Sequence, residues 1–182
     1  MKYVLVLAAV LSLSGCARGK LGRVEQELDR AAVNKTTPIY VEAISAQNTV
    51  FTGDKANDQG KVLGEKAEIE ARYSVMIVDM LKKRGYNAQL AKAPVKKGLV
   101  IAGNVTKFEH GSGAARFFVG MGAGSSNMFT DFKIEDRSFS KVLSKFEVIA
   151  TSGARSDLSG FIDAHLSDGA QKVADYIEGT KQ

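Results

Sequence analysis

Cysteine is nearly absent from this chain of 182 residues: Cys16 is the only one. That excludes an internal disulfide, a C-x-x-C redox pair and a thiolate metal cluster. Histidine is scarce too, and His110 and His165 stand outside any H-E-x-x-H or similar spacing, so no metal ligand set is legible. Each of these histidines is expected as a surface or capping residue. Tryptophan is missing, and the phenylalanines and tyrosines are not interleaved with basic side chains as a stacking platform, which speaks against nucleic acid as a partner. No G-x-S-x-G elbow occurs, so the serines offer no hydrolase signature. The apolar stretch from Tyr3 to Leu13 falls short of the roughly 20 residues that cross a bilayer.

What that stretch does resemble is a secretory signal. Lys2 supplies a basic start, Tyr3 to Leu13 an apolar centre, and Leu13-Ser14-Gly15-Cys16 a small-residue cleavage site that ends on the cysteine. The expectation is a bacterial lipoprotein cut between Gly15 and Cys16, with acyl chains such as palmitate carried on Cys16. Several chains on one residue, at about 0.8 kcal/mol per buried methylene, make release from the membrane negligible. Ala17 follows where aspartate would favour inner-membrane retention in double-membrane bacteria. By resemblance to those sorting signals, the expected address is the outer membrane, facing the periplasm.

The organisation expected is therefore a signal peptide over 1–15, a lipidated N-terminus and tether over 16–37, and a single domain over 38–182. Hydrophobic residues at 45% and charged residues at 25% are ordinary for a folded globular chain. A formal charge of +5 favours anionic envelope lipid or polymer without specifying either.

Within the tether, Leu21, Val24, Leu28 and Ala32 fall at helical spacing, so a short helix competes with a solvated linker. Ile39 to Ile44 reads as a first strand, and Thr52 to Gly60 as a loop of turn formers. From Lys61 to Arg84, apolar residues recur three or four apart until Gly85, which predicts a long helix. Strands are predicted from Tyr86 to Leu90 and from Leu99 to Phe108, and an antiparallel hairpin from Met128 to Ile134 and Val142 to Thr151. Phe161 to Glu178 carries a helical stripe, with Gly169 a candidate break. The order predicts an α+β fold, a mixed and mostly antiparallel sheet with helices packed on one face.

One segment is unusual. Gly111 to Ser126 contains Arg116-Phe117-Phe118-Val119-Gly120-Met121-Gly122-Ala123-Gly124, an arginine and three apolar residues leading into alternate glycines. This signature, set between a central strand and a hairpin, resembles a family of bacterial lipoproteins catalogued as domain of unknown function 4410. The resemblance covers about Ile39 to Ile177 and implies an address and an architecture, since that family has no established activity. The turn Asp136 to Ser140 departs from it by lacking glycine.

Read from its residues alone, the segment allows three roles. A phosphate loop would need the glycines to open a helix, whereas a strand follows here. A loop that docks a partner or touches membrane could use Phe117, Phe118, Val119 and Met121. The third role is local, with Gly120, Gly122 and Gly124 permitting close backbone approach while the phenylalanines fill the core; it is the expected one. The functional expectation is a non-enzymatic binding or assembly module with no cofactor besides the lipid on Cys16, no metal and no nucleic acid. Its partners are the membrane and an envelope protein, and nothing fixes its oligomeric state. The alternative is a small-ligand-binding or hydrolytic domain with a site near loop 111–126.

Overall fold

The computed structural model describes residues 19–112, 125–152 and 161–180. In chain order the elements are β1 (Lys20–Gln26), a 3-10 turn (Arg30–Ala32), β2 (Ile39–Val41), β3 (Val50–Gly53), α1 (Gln59–Lys83) and β4 (Ala88–Leu90). They continue with β5 (Leu99–His110), β6 (Ser126–Asp136), β7 (Lys141–Ser152) and α2 (Phe161–Glu178). The seven strands form one sheet in the order β1-β7-β6-β5-β2-β4, with β3 also on β5. Both helices cover one face, so the expected α+β class is the one observed.

The long strands β5, β6 and β7 pair antiparallel, as their alternation predicts. The short strands pair parallel. β2 lies along the first residues of β5 and β3 along its last, so two short strands share one edge of a long one. A register shift between Val105 and Lys107 changes which side chains of β5 face the helices. Ile101 and Val105 point into the core before it, Phe108 and His110 after it.

Asp58 caps α1 by accepting the Lys61 amide at 3.1 Å, and Gly85 ends it at a φ of 83°. The stripe Ile69, Tyr73, Ile77 and Leu81 meets Leu166, Ala170 and Val173 of α2 and the inward side chains of the sheet, all fully buried. Each large side chain so buried contributes about 1.5–3 kcal/mol, an upper figure because unfolded chains are already partly collapsed.

Two expectations are corrected. Lys20–Gln26 is neither tether nor helix but an edge strand, paired antiparallel to β7 through Lys20 and Ile149 at one end and Gln26 and Lys145 at the other. Leu21 and Val24 pack against the core, and Leu28 is buried in it, its amide donating to the Tyr176 hydroxyl at 3.1 Å. The apolar spacing was real, but it belongs to an irregular strand whose pairing shifts register twice. Gly169 does not break α2, which runs continuously from Phe161 to Glu178. The turn without glycine also resolves: Ser140 itself takes a φ of 51°.

Candidate functional site

Three strand ends and a helix start converge at one pole of the domain. β5 stops at His110, β6 begins at Ser126, β7 stops at Ser152 and α2 begins at Phe161. The candidate residues Arg116, Phe117, Phe118, Gly120, Gly122 and Gly124 lie outside the described residues, as do Gly15 and Cys16. The described chain enters the glycine-rich segment and leaves it at this pole.

Neither histidine is at the surface. His110 is 3% exposed and His165 is fully enclosed, which overturns the surface or capping role expected of both. His110 Nε2 donates to Glu65 Oε2 at 2.7 Å, and Lys61 Nζ lies 2.8 Å from the other carboxylate oxygen. Burial pushes the Glu65 carboxyl upward, but the hydrogen bonds and charges of His110 and Lys61 outweigh it and hold the group below the usual range. Rings enclose the pair: Phe51 and Phe108 stand 5.7 and 5.0 Å from the His110 ring, and Phe161 lies between Lys61 and His165.

His165 faces two carbonyl oxygens, with Nδ1 at 2.8 Å from Phe161 O and Nε2 at 3.1 Å from Ser126 O. A neutral ring has one N–H and can serve only one of them. Protonation would serve both, yet burial disfavours the charge more strongly and lowers the pKa.

A carboxylate–imidazole pair acts as a general base only if the second ring nitrogen reaches a hydroxyl or water. His110 Nδ1 is buried, and no described side chain bonds to it. No described side chain supplies that hydroxyl, so the described residues alone do not assemble a nucleophile with the pair. No group of described residues has metal-ligand clustering.

Asp168 is the residue at this pole that sequence reading missed. One carboxylate oxygen accepts the amides of Gly19 and Thr151, each at 2.9 Å, so a single side chain of α2 fastens both the start of β1 and the end of β7. Glu65 was missed as well, although its signal was present: it occupies the same helical stripe as Ile69, Tyr73 and Ile77.

On the opposite face of the sheet a shallow recess of about 360 Å³ is lined by Arg23, Asn104, Asp131, Lys133, Lys145 and Glu147, among others. Register places Asp131 beside Glu147 and, two pairs along on the same face, Lys133 beside Lys145, so an acidic row adjoins a basic one. Lys133 also pairs with Glu135 at 2.7 Å, and its hydrogen bond holds that carboxyl below the usual range. This face is polar and charge-balanced, as a solvated sheet face should be.

Residues 39–156 match the family described as Domain of unknown function (DUF4410). The chain belongs to that family. No curated protein matches it. Among solved structures it is similar to the PelC dodecamer from Paraburkholderia phytofirmans in two crystal forms. One, a point variant, has 15% identity and a TM-score of 0.52, covering 86% of this chain and 97% of that one. The other has 15% identity and a TM-score of 0.50, covering 90% and 99%. Lipoprotein GNA1162 from Neisseria meningitidis is more distant, with 12% identity and a TM-score of 0.37 over 76% of this chain and 99% of that one. For the PelC structures, at this identity, the likeness is one of fold.

Proposed function

We propose that this DUF4410 protein is an envelope lipoprotein, anchored in the outer membrane through Cys16 and facing the periplasm, whose domain is a non-enzymatic assembly module. The observation that carries this reading is the attachment of Gly19 to Asp168. Only Ala17 and Arg18 separate Gly19 from Cys16, a reach of at most about 11 Å, so a lipid on Cys16 would hold the domain close against the bilayer by a defined pole. No described helix is long and apolar enough to cross a membrane, and the proposed anchor requires none.

Self-association belongs to the proposal. The PelC structures with this fold are dodecamers. Among the described strands β1 is the last in the sheet order, at the pole where the anchor begins, and a terminal strand there is suited to pairing with a neighbouring copy.

Metabolic labelling with a palmitate analogue tests the anchor. Wild-type protein should be labelled and Cys16→Ser should not; undiminished labelling of the variant would overturn the assignment. Density-gradient fractionation tests the address, since Ala17→Asp should move the protein from outer toward inner membrane. Native mass spectrometry of the detergent-extracted protein tests assembly, and a monomer at every concentration would remove that part of the reading.

A further inference from the structure

The pole opposite Gly19 carries a surplus of positive charge. β6 runs from Ser126 at the tether pole to Asp136 at the far one, a separation of about 34 Å at strand rise. At the far end lie the close of α1, the β4–β5 connection and the β6–β7 turn. The last two touch: the Gly98 amide donates to Ser138 Oγ at 2.9 Å, and the Arg137 amide to Gly98 O at 3.0 Å.

Most carboxylates of this pole are already engaged, exposed Asp79 on α1 and Glu27 after β1 being the exceptions. Arg137 holds Glu42 and Glu135, and Arg84 holds Asp175 and Glu178. Asp136 accepts the Ser138 amide, and Asp29 faces Lys141. Five exposed lysines remain, Lys82, Lys83, Lys92, Lys96 and Lys97, none in an ion pair with a described residue. Beside them Phe139 is 79% exposed at the tip of the turn, the most exposed large apolar side chain described.

We infer that this far pole is a docking surface for an extended, carboxylate-bearing polyanion of the envelope. Lysines are compact charges on flexible stems, and here they stand on two separate segments, the end of α1 and the β4–β5 connection. Such a surface reads charge density along a polymer rather than one anionic group. Phe139 adds a flat apolar contact on the turn that touches the β4–β5 connection. The choice of a polymer over a bilayer rests on the anchor reading above, which holds the opposite pole against the membrane and turns the lysines away from it.

The test is retention of the full-length protein, in neutral detergent, on a poly-L-glutamate resin eluted by a salt gradient. Replacing all five lysines by glutamine keeps helix propensity and solubility, and an unchanged far-UV spectrum and melting curve would show that the variant is folded. That variant should bind roughly tenfold more weakly at low salt. Phe139→Ser should elute earlier than wild type, and Lys20→Gln with Lys55→Gln, at the tether pole, should elute with it. Equal retention of wild type and the five-lysine variant would overturn the proposal. So would retention that fails on the resin while the protein binds micelles doped with an anionic phospholipid. Palmitate labelling is read separately, so loss of polyanion binding leaves the anchor assignment standing, and failure of labelling leaves the binding surface standing.

Discussion

Gly169 of α2 lies directly against the hydroxyl of Tyr73 on α1, so closely that a Cβ at position 169 would stand 2.9 Å from the ring carbon bearing that hydroxyl and nearer still to its oxygen. A glycine inside a helix costs about 1 kcal/mol relative to alanine. Here the missing side chain lets a buried tyrosine fill the space between the helices. Gly169→Ala should therefore lower stability by about 1–3 kcal/mol, although propensity alone predicts a gain. Tyr73→Phe should recover much of the loss, because it removes the oxygen that the new Cβ meets. Urea unfolding of the two single variants and the double variant reads the coupling; additive effects would refute the contact as its cause.

His165 sets an acid-sensitive window. Burial lowers its pKa in the folded state below the ordinary 6.5, so near that pH the unfolded chain takes up the proton first. Stability from this group is full above 6.5 and falls as the pH drops through that value toward the folded pKa, by up to about 1.4 kcal/mol per pH unit. His165→Gln should be less stable at neutral pH and should lose this slope. Melting temperatures measured from neutral pH down through this window decide it, and parallel curves for variant and wild type would contradict the assignment. Glu65 acts in a separate and more acidic window. Its depressed pKa gives stability that is present above about 4.5 and lost as the pH falls through the folded value.

Arg137 closes the far pole by a two-pronged contact with Glu42, at 2.6 and 2.9 Å, and a further bond to Val95 O at 2.8 Å. It ties the β6–β7 turn to the end of β2 and to the β4–β5 connection. Arg137→Ala should cost about 1–3 kcal/mol, more than an exposed ion pair is worth, because a carboxylate and a carbonyl lose their partner together. Arg137→Lys should restore only part of this, since an ammonium cannot bridge both oxygens in the same plane. Thermal unfolding checks the ranking, and equal stability of all three proteins would refute it.

β1 yields the fourth prediction. A chain begun after Leu28 loses the edge strand, the Gly19 contact with Asp168 and the buried Leu28 side chain, and should melt at a lower temperature and aggregate through the bared edge of β7. If residues 19–28 were only a linker, their removal would leave melting unchanged.

These contrasts show what can be read from the chain and what cannot. α1 was legible because one stripe of apolar residues repeats over many turns, and the hairpin because Met128, Thr130, Phe132 and Ile134 alternate cleanly. β1 was not: its pairing slips twice, charged residues occupy an edge position, and Leu21 and Val24 then imitate helical spacing. His110 was misplaced because an extra residue in β5, Thr106, between Val105 and Lys107 reverses the alternation of that strand without any sign in its apolar pattern. Gly169 was misjudged because propensity describes a helix alone, whereas its role is set by a tyrosine on another helix. Asp168 gave no local sign at all, since the two amides it serves come from opposite ends of the chain.

The division of the β5 edge between β2 and β3 also bears on the order in which the chain can assemble. The β6–β7 hairpin closes across a short turn and can form early, with β5 the next strand to add. β2 and β3 must find opposite ends of β5 from far upstream, with all of α1 intervening between β3 and β5, so their docking carries a large loop-closure cost. β1 joins β7 across nearly the whole length of the domain. β1 thus bridges the longest sequence separation of any strand pair described, and until it is seated the edge of β7 stays open to other chains.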